Sequence, residues 1–282
     1  MLKLKPMKFL DRFFKKGPKV AVIRLAGAIG MGSAFRPGLS AAGLEDTLTR
    51  AFSRKGLAAV ALVINCPGGS AAQSSLIGQR IRQLAEEKKL PVLAYVEDVA
   101  ASGGYWLASA ADEIYADANS IVGSIGVVAA GFGFTKAIEK LGVERRVYTA
   151  GKNKVMLDPF QPEKPEDVAR VLELQAGIHE IFKAQVRLRR GARLKAADDE
   201  VFTGAFWTGD KALEMGLIDG IAEMNSHLKS RFGPDVNILM PSVQGNWLTR
   251  RFKVDAGSLG GEMAEGLAQG MEHRALWSRY GL

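Results

Sequence analysis

The chain has 282 residues, of which 47% are hydrophobic and 24% charged, which suits one large domain or two small ones. No apolar run reaches the roughly 18 residues that a membrane-spanning helix needs. The formal net charge is +8, but residues 1–19 hold +6 of it. A nucleic-acid enzyme usually carries its basic groove in the folded body, so we expect no nucleic-acid partner.

Residues 1–18 predict a basic amphipathic arm, because leucines and phenylalanines alternate with lysines until Gly17-Pro18 ends the helical pattern. Such an arm is typical of peripheral contact with an anionic membrane surface, and a solvated or subunit-contacting arm is the alternative. The arm lacks the apolar core and small-residue cleavage site of a secretory signal. We therefore expect a cytoplasmic location, with possible attachment at the inner membrane surface.

A rhythm of strand followed by helix begins at Lys19. Apolar runs predict strands at 19–25, 59–65 and 91–96, with short strands at 113–116 and 146–149. Helical spacing predicts helices at 41–54, 70–88, 102–111 and 165–190, the second with an apolar face of Leu76, Ile77, Ile81 and Leu84. Apolar strands that alternate with helices predict an α/β fold with a largely parallel sheet and flanking helices. We place the main domain at residues 19–229 and interpret residues 230–282 as a peripheral extension.

Two predicted strand-to-helix turns carry candidate functional residues. In the first, Gly68 and Gly69 let the backbone turn sharply and leave N–H groups uncovered at a helix start, where negative charge is stabilised. In the second, Ser102 lies at the carboxyl edge of the sheet, where open α/β folds bind ligands. An ordinary turn and a helix N-cap serine are the structural alternatives.

A nucleophilic serine needs a base, and histidine is the usual one. The chain has only His179, His227 and His273, none of which lies in a motif, and we interpret each as a surface residue. A serine enzyme without a credible histidine indicates the serine–lysine variant. Gly151 to Lys154 supplies loop lysines, which by themselves are usually solvated.

Taken together, four motifs resemble the signal peptide peptidase A family in order and spacing, over about residues 20–225. They are Asn65-Cys66-Pro67-Gly68-Gly69, Ala101-Ser102-Gly103-Gly104-Tyr105, Gly123-Ser124-Ile125-Gly126-Val127 and Gly151-Lys152-Asn153-Lys154. The resemblance implies a Clp protease/crotonase-like fold and a homo-oligomer shaped as a ring or dome. It further implies a serine endopeptidase for signal peptides or other unfolded peptides, with no metal or organic cofactor.

The resemblance also assigns the reacting groups. Ser102 matches the nucleophile, Lys154 the general base and Ser124 the serine that hydrogen-bonds the base. Lys152 adds a second lysine to the base motif. Without the resemblance, Ser124 would be interpreted as a turn serine between Gly123 and Gly126.

The remaining matched positions concern the oxyanion hole. Gly103 matches one donor, and Gly69 or Gly68 the other. Cys66 stands where the family more often has serine, and we interpret it as a buried structural residue rather than a thiol nucleophile.

Three other functions compete with a serine–lysine peptidase. A crotonase-type acyl-CoA enzyme shares the fold and the oxyanion geometry but does not require Ser102, Ser124 and Lys154. A Clp-type Ser–His–Asp peptidase needs a histidine about 25 positions after the serine, where Val127 stands. A catalytically inactive scaffold that binds peptides or membranes is the third alternative.

Overall fold

Strands and helices alternate along the chain in the computed structural model, which describes residues 17–30, 38–240 and 276–281. The strands are β1 (Lys19–Ala26), β2 (Leu57–Cys66), β3 (Val92–Ala101), β4 (Glu113–Ala116), β5 (Ile121–Gly123), β6 (Phe206–Thr208), β7 (Gly220–Ile221) and β8 (Asn237–Leu239). The helices are α1 (Ala41–Phe52), α2 (Ala71–Lys88), α3 (Gly103–Ser109), α4 (Thr135–Lys140), α5 (Pro165–Arg190), α6 (Asp198–Val201), α7 (Gly209–Glu214) and α8 (Met224–Phe232). The predicted arm at 1–18 lies outside the described residues except for its last two.

The strands form one eight-stranded sheet in the order β6-β5-β3-β2-β1-β8, with β4 beside β3 and β7 beside β4. Within the described ranges every strand pair is parallel except β5 and β6. The predicted α/β fold with a largely parallel sheet is therefore confirmed. Among the described helices, none combines the length and apolar character needed to cross a bilayer.

Alternate side chains of β1 enter two separate cores. Ile23 and Leu25 pack with residues of α1, α2, α3 and α5 on one face of the sheet. Val20 and Val22 pack with Leu228 of α8 on the other face. Because successive strand residues point to opposite faces, a continuous apolar strand is buried on both sides, as its composition predicts.

Strand β3 has two different neighbours along its length. Its first part, Leu93–Val96, pairs with β4, and its last part, Val99–Ala101, pairs with β5. The change of neighbour coincides with a register shift against β2. As a result Ala101 lies opposite Gly123, and the residues that follow these two strands become neighbours.

A buried ion pair fixes the end of α5 against the loop before β7. The Arg190 guanidinium contacts the Asp219 carboxylate at 2.8 Å and donates to the Gly216 carbonyl at 2.9 Å. The Tyr105 hydroxyl of α3 donates to the neighbouring Leu217 carbonyl at 2.7 Å. These bonds hold α5 beside α3, where the candidate site lies.

Two details of the predicted secondary structure are wrong. Residues 146–149 form no strand, because the described chain offers them no neighbouring strand, and Tyr148 is 90% exposed. Leu76 is 49% exposed, since the buried face of α2 runs through Ile77, Ile81 and Leu84.

The stretch after residue 229 contributes more to the fold than the predicted peripheral extension. Strand β8 pairs in parallel with β1 and so extends the sheet. Tyr280 is buried beside the end of β3. Residues 241–275 lie outside the described part of the chain.

Candidate active site

Ser102 occupies a strained turn between β3 and α3. Its backbone has φ +53° and ψ −121°, a conformation that residues other than glycine rarely adopt. The turn is held because the Ser102 N–H donates to the Gly123 carbonyl at 2.8 Å and the Trp106 N–H donates to the Ser102 carbonyl at 3.0 Å. Ser102 stands at the N-cap position of α3, but its side chain makes no capping hydrogen bond, so a capping role does not account for the serine. A serine presented on a strained strand-to-helix turn is the geometry of a nucleophile elbow.

The loop with Gly68 and Gly69 is anchored to Ile29. The Ile29 N–H donates to the Gly68 carbonyl at 2.8 Å, and the Ser70 N–H donates to the Ile29 carbonyl at 2.9 Å. A Cβ on Gly69 would lie 2.2 Å from the Ile29 carbonyl oxygen, so only glycine fits there. This close approach positions the loop beside Ser102.

Two backbone N–H groups of the site remain available to a ligand. Gly103 is the first residue of α3, where N–H groups have no intrahelical acceptor. The Gly68 N–H donates to the Cys66 thiol, whereas no backbone hydrogen bond from the Gly69 N–H occurs within the described residues. The geometry therefore favours Gly69 over Gly68 as the partner of Gly103.

The Cys66 thiol is fully buried, and this burial raises its pKa to about 12. The sulfur therefore stays protonated at neutral pH and is a poor nucleophile. A Cβ on Gly104 would lie 2.1 Å from the Cys66 carbonyl oxygen. Cys66 thus packs directly beneath α3, as expected of a structural residue.

Ser124 lies next to Ser102 because Gly123 and Ala101 are paired across β5 and β3. Its φ is also +53°, and the residue is only 8% exposed. The Ser124 N–H donates to the Ala205 carbonyl at 2.6 Å, which fixes the backbone. Local sequence patterns do not place these serines side by side, because 21 residues separate them, and only the family resemblance implied that they share a site.

These groups line one open cavity of about 610 Å³. Its lining includes Pro67, Gly69, Ser102, Gly103, Trp106, Ser124, Val128, Ile178, His179, Phe182, Arg279 and Tyr280. The mixture of apolar walls and a few polar groups is typical of a site for a small ligand or a peptide segment. Within the described ranges, no three His, Cys, Asp or Glu side chains come together as a metal site requires.

Lys154 is not among the residues that line this cavity. Its side chain is exposed, and its N–H donates to the Gly151 carbonyl at 3.2 Å in a turn. Lys152 is exposed as well. The described chain therefore assembles the predicted nucleophile, the oxyanion glycines and Ser124, but it does not bring the predicted base to them.

Two cavity residues were missed by the sequence analysis. The ring Nε2 of His179 lies 3.0 Å from the Ile125 carbonyl oxygen, so Nε2 carries the proton in this contact. The ring is half-buried and lines the cavity, which the prediction of a surface histidine did not anticipate, and the spacing to Phe182 and Val186, which face the core, was the available signal. Tyr280, the other residue, comes from a stretch without any motif.

The fold and this site define a class of protein: α/β proteins that present a serine on a strained turn between two backbone donors, as serine hydrolases do. The sequence matches the model of peptidase family S49 over residues 84–231, just over half of the 282 residues. The chain belongs to this family. The predicted signal peptide peptidase A family and the predicted class, a serine-type peptidase, are thereby confirmed.

Similar proteins with peptidase names cover most of this chain. The chloroplastic serine protease SPPA of Arabidopsis thaliana is 34% identical over 212 residues, which are 73% of this chain and 31% of that protein. Protease 4 of Haemophilus influenzae is 31% identical over 217 residues, 73% of this chain and 33% of that protein. A solved membrane-bound, stomatin-specific protease is 19% identical with a TM-score of 0.47, covering 80% of this chain and 97% of that one.

A protein of Brucella abortus named Na(+)/H(+) antiporter NhaA is 48% identical over 280 residues, 96% of this chain but 38% of that protein. The peptidase family match lies inside the shared segment, so the antiporter name brings no transport activity to this chain. The chain spans 31 to 38% of the length of these three curated relatives.

Proposed function

We propose that the chain is a serine endopeptidase that hydrolyses unfolded peptides, signal peptides included, through Ser102. One observation carries this proposal: the strained Ser102 turn presents a hydroxyl free of capping bonds beside the Gly69 and Gly103 N–H groups. Strain at a non-glycine residue persists only where the surrounding structure enforces it, and it concentrates at functional sites. The open cavity beside Ser102 supplies room for a peptide.

In the proposed mechanism, the neutral amine of Lys154 takes the proton from the Ser102 hydroxyl as its oxygen attacks the peptide carbonyl. The N–H groups of Gly103 and Gly69 donate to the resulting oxyanion. The lysine ammonium then protonates the leaving amine as the C–N bond breaks, which leaves an ester on Ser102. Lys154 next takes a proton from water as the water oxygen attacks this ester. The lysine ammonium then returns the proton to Ser102 Oγ as the ester C–O bond breaks, which releases the acid product and restores the serine. Ser124 accepts a hydrogen bond from the amine and orients it.

We further propose that each Lys154 serves the Ser102 of a second copy in a ring. No residue from 126 to 181 is buried in the described chain, yet this stretch contains Lys154. Its exposed large apolar side chains are Val128, Phe132, Phe134, Leu141, Val143, Tyr148, Val155, Leu157, Phe160, Leu172, Leu174, Ile178 and Ile181. Such an apolar surface is typical of an interface. A head-to-tail contact that closes would give every site a neighbour's lysine.

The chemistry is tested by labelling with a fluorophosphonate probe and by peptide digestion, both read by mass spectrometry. We expect covalent labelling at Ser102 and cleavage products that are absent with Ser102→Ala. Tight acyl-CoA binding without labelling would instead support the crotonase-type alternative. Peptide binding without either reaction would support the inactive scaffold.

The shared site is tested by mixing two inactive variants. Ser102→Ala and Lys154→Ala subunits, co-expressed with different tags and purified through both, would form mixed rings. If sites form between copies, about a quarter of the interfaces combine an intact serine with an intact lysine, and activity returns to about that fraction. A mixed oligomer that stays inactive would contradict a site shared between copies. It would leave the proposed role of Ser102 unaffected.

A further inference from the structure

The side chain of Tyr280 is fixed in one wall of the cavity. The residue is 8% exposed and packs in a small apolar cluster with Val99 and Ala101 at the end of β3. Its ring meets Phe206 edge to face, with the ring centroids 5.1 Å apart. The cavity of about 610 Å³ is present with Tyr280 in place, so the ring forms a wall and does not fill the site.

The Tyr280 hydroxyl lies between two parts of the candidate site. It is 3.4 Å from the Pro67 carbonyl oxygen and 3.4 Å from Ser124 Oγ. Its single proton is therefore shared between an acceptor in the glycine loop and an acceptor in the turn after β5. Both distances are long for O–H···O bonds, so each contact is weak.

The contact with Pro67 affects the direction in which the Gly69 N–H, one of the two oxyanion donors, points. The Pro67 carbonyl and the Gly68 N–H belong to one planar peptide unit. Tyr280 binds the oxygen of this unit, and the Cys66 thiol accepts the hydrogen bond from its N–H. These two partners on opposite sides restrain the unit. The next unit, which carries the Gly69 N–H, is held by the Ile29 N–H that donates to the Gly68 carbonyl, so both units together set where the Gly69 N–H points.

The contact with Ser124 affects how Ser124 can orient the amine of Lys154. A hydroxyl oxygen has two lone pairs and one proton. Donation from Tyr280 takes one lone pair of Ser124 Oγ. The other lone pair stays available to the lysine amine, in a direction that Tyr280 helps to set.

We propose that Tyr280 is a positioning residue for the peptidase reaction, whose hydroxyl aligns the oxyanion loop and Ser124 with Ser102. This inference rests on the proposed function. It assigns a role to residues 276–281, a segment that no motif of the sequence marked.

The test replaces the hydroxyl and keeps the ring. We expect Tyr280→Phe to lower kcat on a short peptide ester about two- to tenfold, the usual worth of one hydrogen bond, with KM and melting temperature unchanged. The rate at which a fluorophosphonate labels Ser102 should fall by the same factor. Tyr115→Phe is the matched control, because the Tyr115 hydroxyl donates to the Glu113 carboxylate away from the cavity, and it should leave both rates unchanged.

A double-mutant cycle separates positioning from packing. In a Ser124→Ala background the Tyr280→Phe factor should shrink, because one of the two contacts of the hydroxyl is already lost. An undiminished factor would overturn the role through Ser124. A Tyr280→Phe protein as fast as the wild type, with Tyr280→Ala impaired, would show that only the ring matters. A Tyr280→Ala protein faster than the wild type would show that the segment obstructs the cavity.

The same experiment distinguishes the two proposals. A wild-type protein that the probe does not label would overturn the proposed function and this inference with it. A labelled wild-type protein, with Tyr280→Phe labelled at the same rate, would overturn this inference alone.

Discussion

The sheet edge that holds Ser102 and the stretch 126–181 that contains Lys154 differ sharply in burial. Every residue of α3, which follows Ser102, is buried, whereas no residue of 126–181 is. The first region enforces a strained backbone at Ser102 because the surrounding core fixes it. The second exposes apolar side chains to water. The difference teaches that one copy assembles the candidate nucleophile and oxyanion donors, while the predicted base lies on an exposed surface outside the cavity.

The largest expected effect separates the two exposed lysines of that second region. Lys154→Ala should lower turnover about a thousandfold or more, because the serine loses its base. Lys152→Ala should keep most of the activity. Both variants should melt at the wild-type temperature, since both side chains are exposed. Peptide hydrolysis and thermal unfolding, measured side by side, check this.

One further variant sharpens the assignment of the base. His179→Gln serves as a second control, because His179 lines the cavity but donates to the Ile125 carbonyl. An inactive His179→Gln enzyme together with an active Lys154→Ala enzyme would assign the base to the histidine. An inactive Lys152→Ala enzyme with active Lys154→Ala would assign it to the other lysine.

Two glycines test the packing difference directly. A Cβ on Gly104 would lie 2.1 Å from the Cys66 carbonyl oxygen, a backbone atom that cannot yield, so Gly104→Ala should lower the free energy of unfolding by about 3 kcal/mol. Gly177, within α5, has no such atom within 4 Å. Gly177→Ala should raise this free energy by about 0.5–1 kcal/mol through helix propensity. Equal effects in chemical denaturation would contradict the contrast.

We expect low pH to destabilise the fold through the contacts that hold α8 against the sheet. Arg231 donates to the Glu113 carboxylate at 2.5 and 2.7 Å and holds its pKa down to about 2. Burial, followed by repulsion from Arg231, lowers the pKa of His227, whose ring nitrogen contacts the Tyr95 hydroxyl at 2.8 Å. In both cases the unfolded chain binds protons at a higher pH than the folded chain, so stability falls as the pH falls.

The two groups should act in successive pH windows. The His227 contribution is complete above its unfolded pKa of about 6.5 and is lost below it, and that of Glu113 is complete above about 4.3. The Glu113 contribution disappears as the pH falls toward about 2. Glu113→Gln should therefore lower the free energy of unfolding by ~0.5–1 kcal/mol at neutral pH, and this difference should vanish near pH 2. A difference that stays constant with pH would contradict the assignment.

The smallest expected effect concerns residues 1–17, which stay a prediction from the sequence because all but the last lie outside the described residues. Basic and apolar residues alternate in this stretch, which is typical of a surface-bound helix. Binding to anionic liposomes should weaken with salt and with deletion of residues 1–17. Equal sedimentation of the full and shortened chains would remove the membrane proposal.

The sequence by itself predicted most of the main elements and, through motifs that resemble those of a known family, the candidate reacting groups. Apolar runs predicted β2 and β3, and helical spacing predicted α5 from Pro165 to Arg190. The motif around Ser102 was found because a serine between a strand and two glycines is a local pattern. Such features depend on neighbours within a few residues, which the sequence displays directly.

Only the tertiary structure decided which residues meet. The change of partner along β3 places Ser124 beside Ser102, and Tyr280 reaches the same site from the far end of the chain. The structure also showed that Lys154 lies outside the cavity of its own chain, although its motif is intact. The physical reason is that strand order and long-range contacts follow from the burial of whole surfaces, and no short pattern encodes a surface.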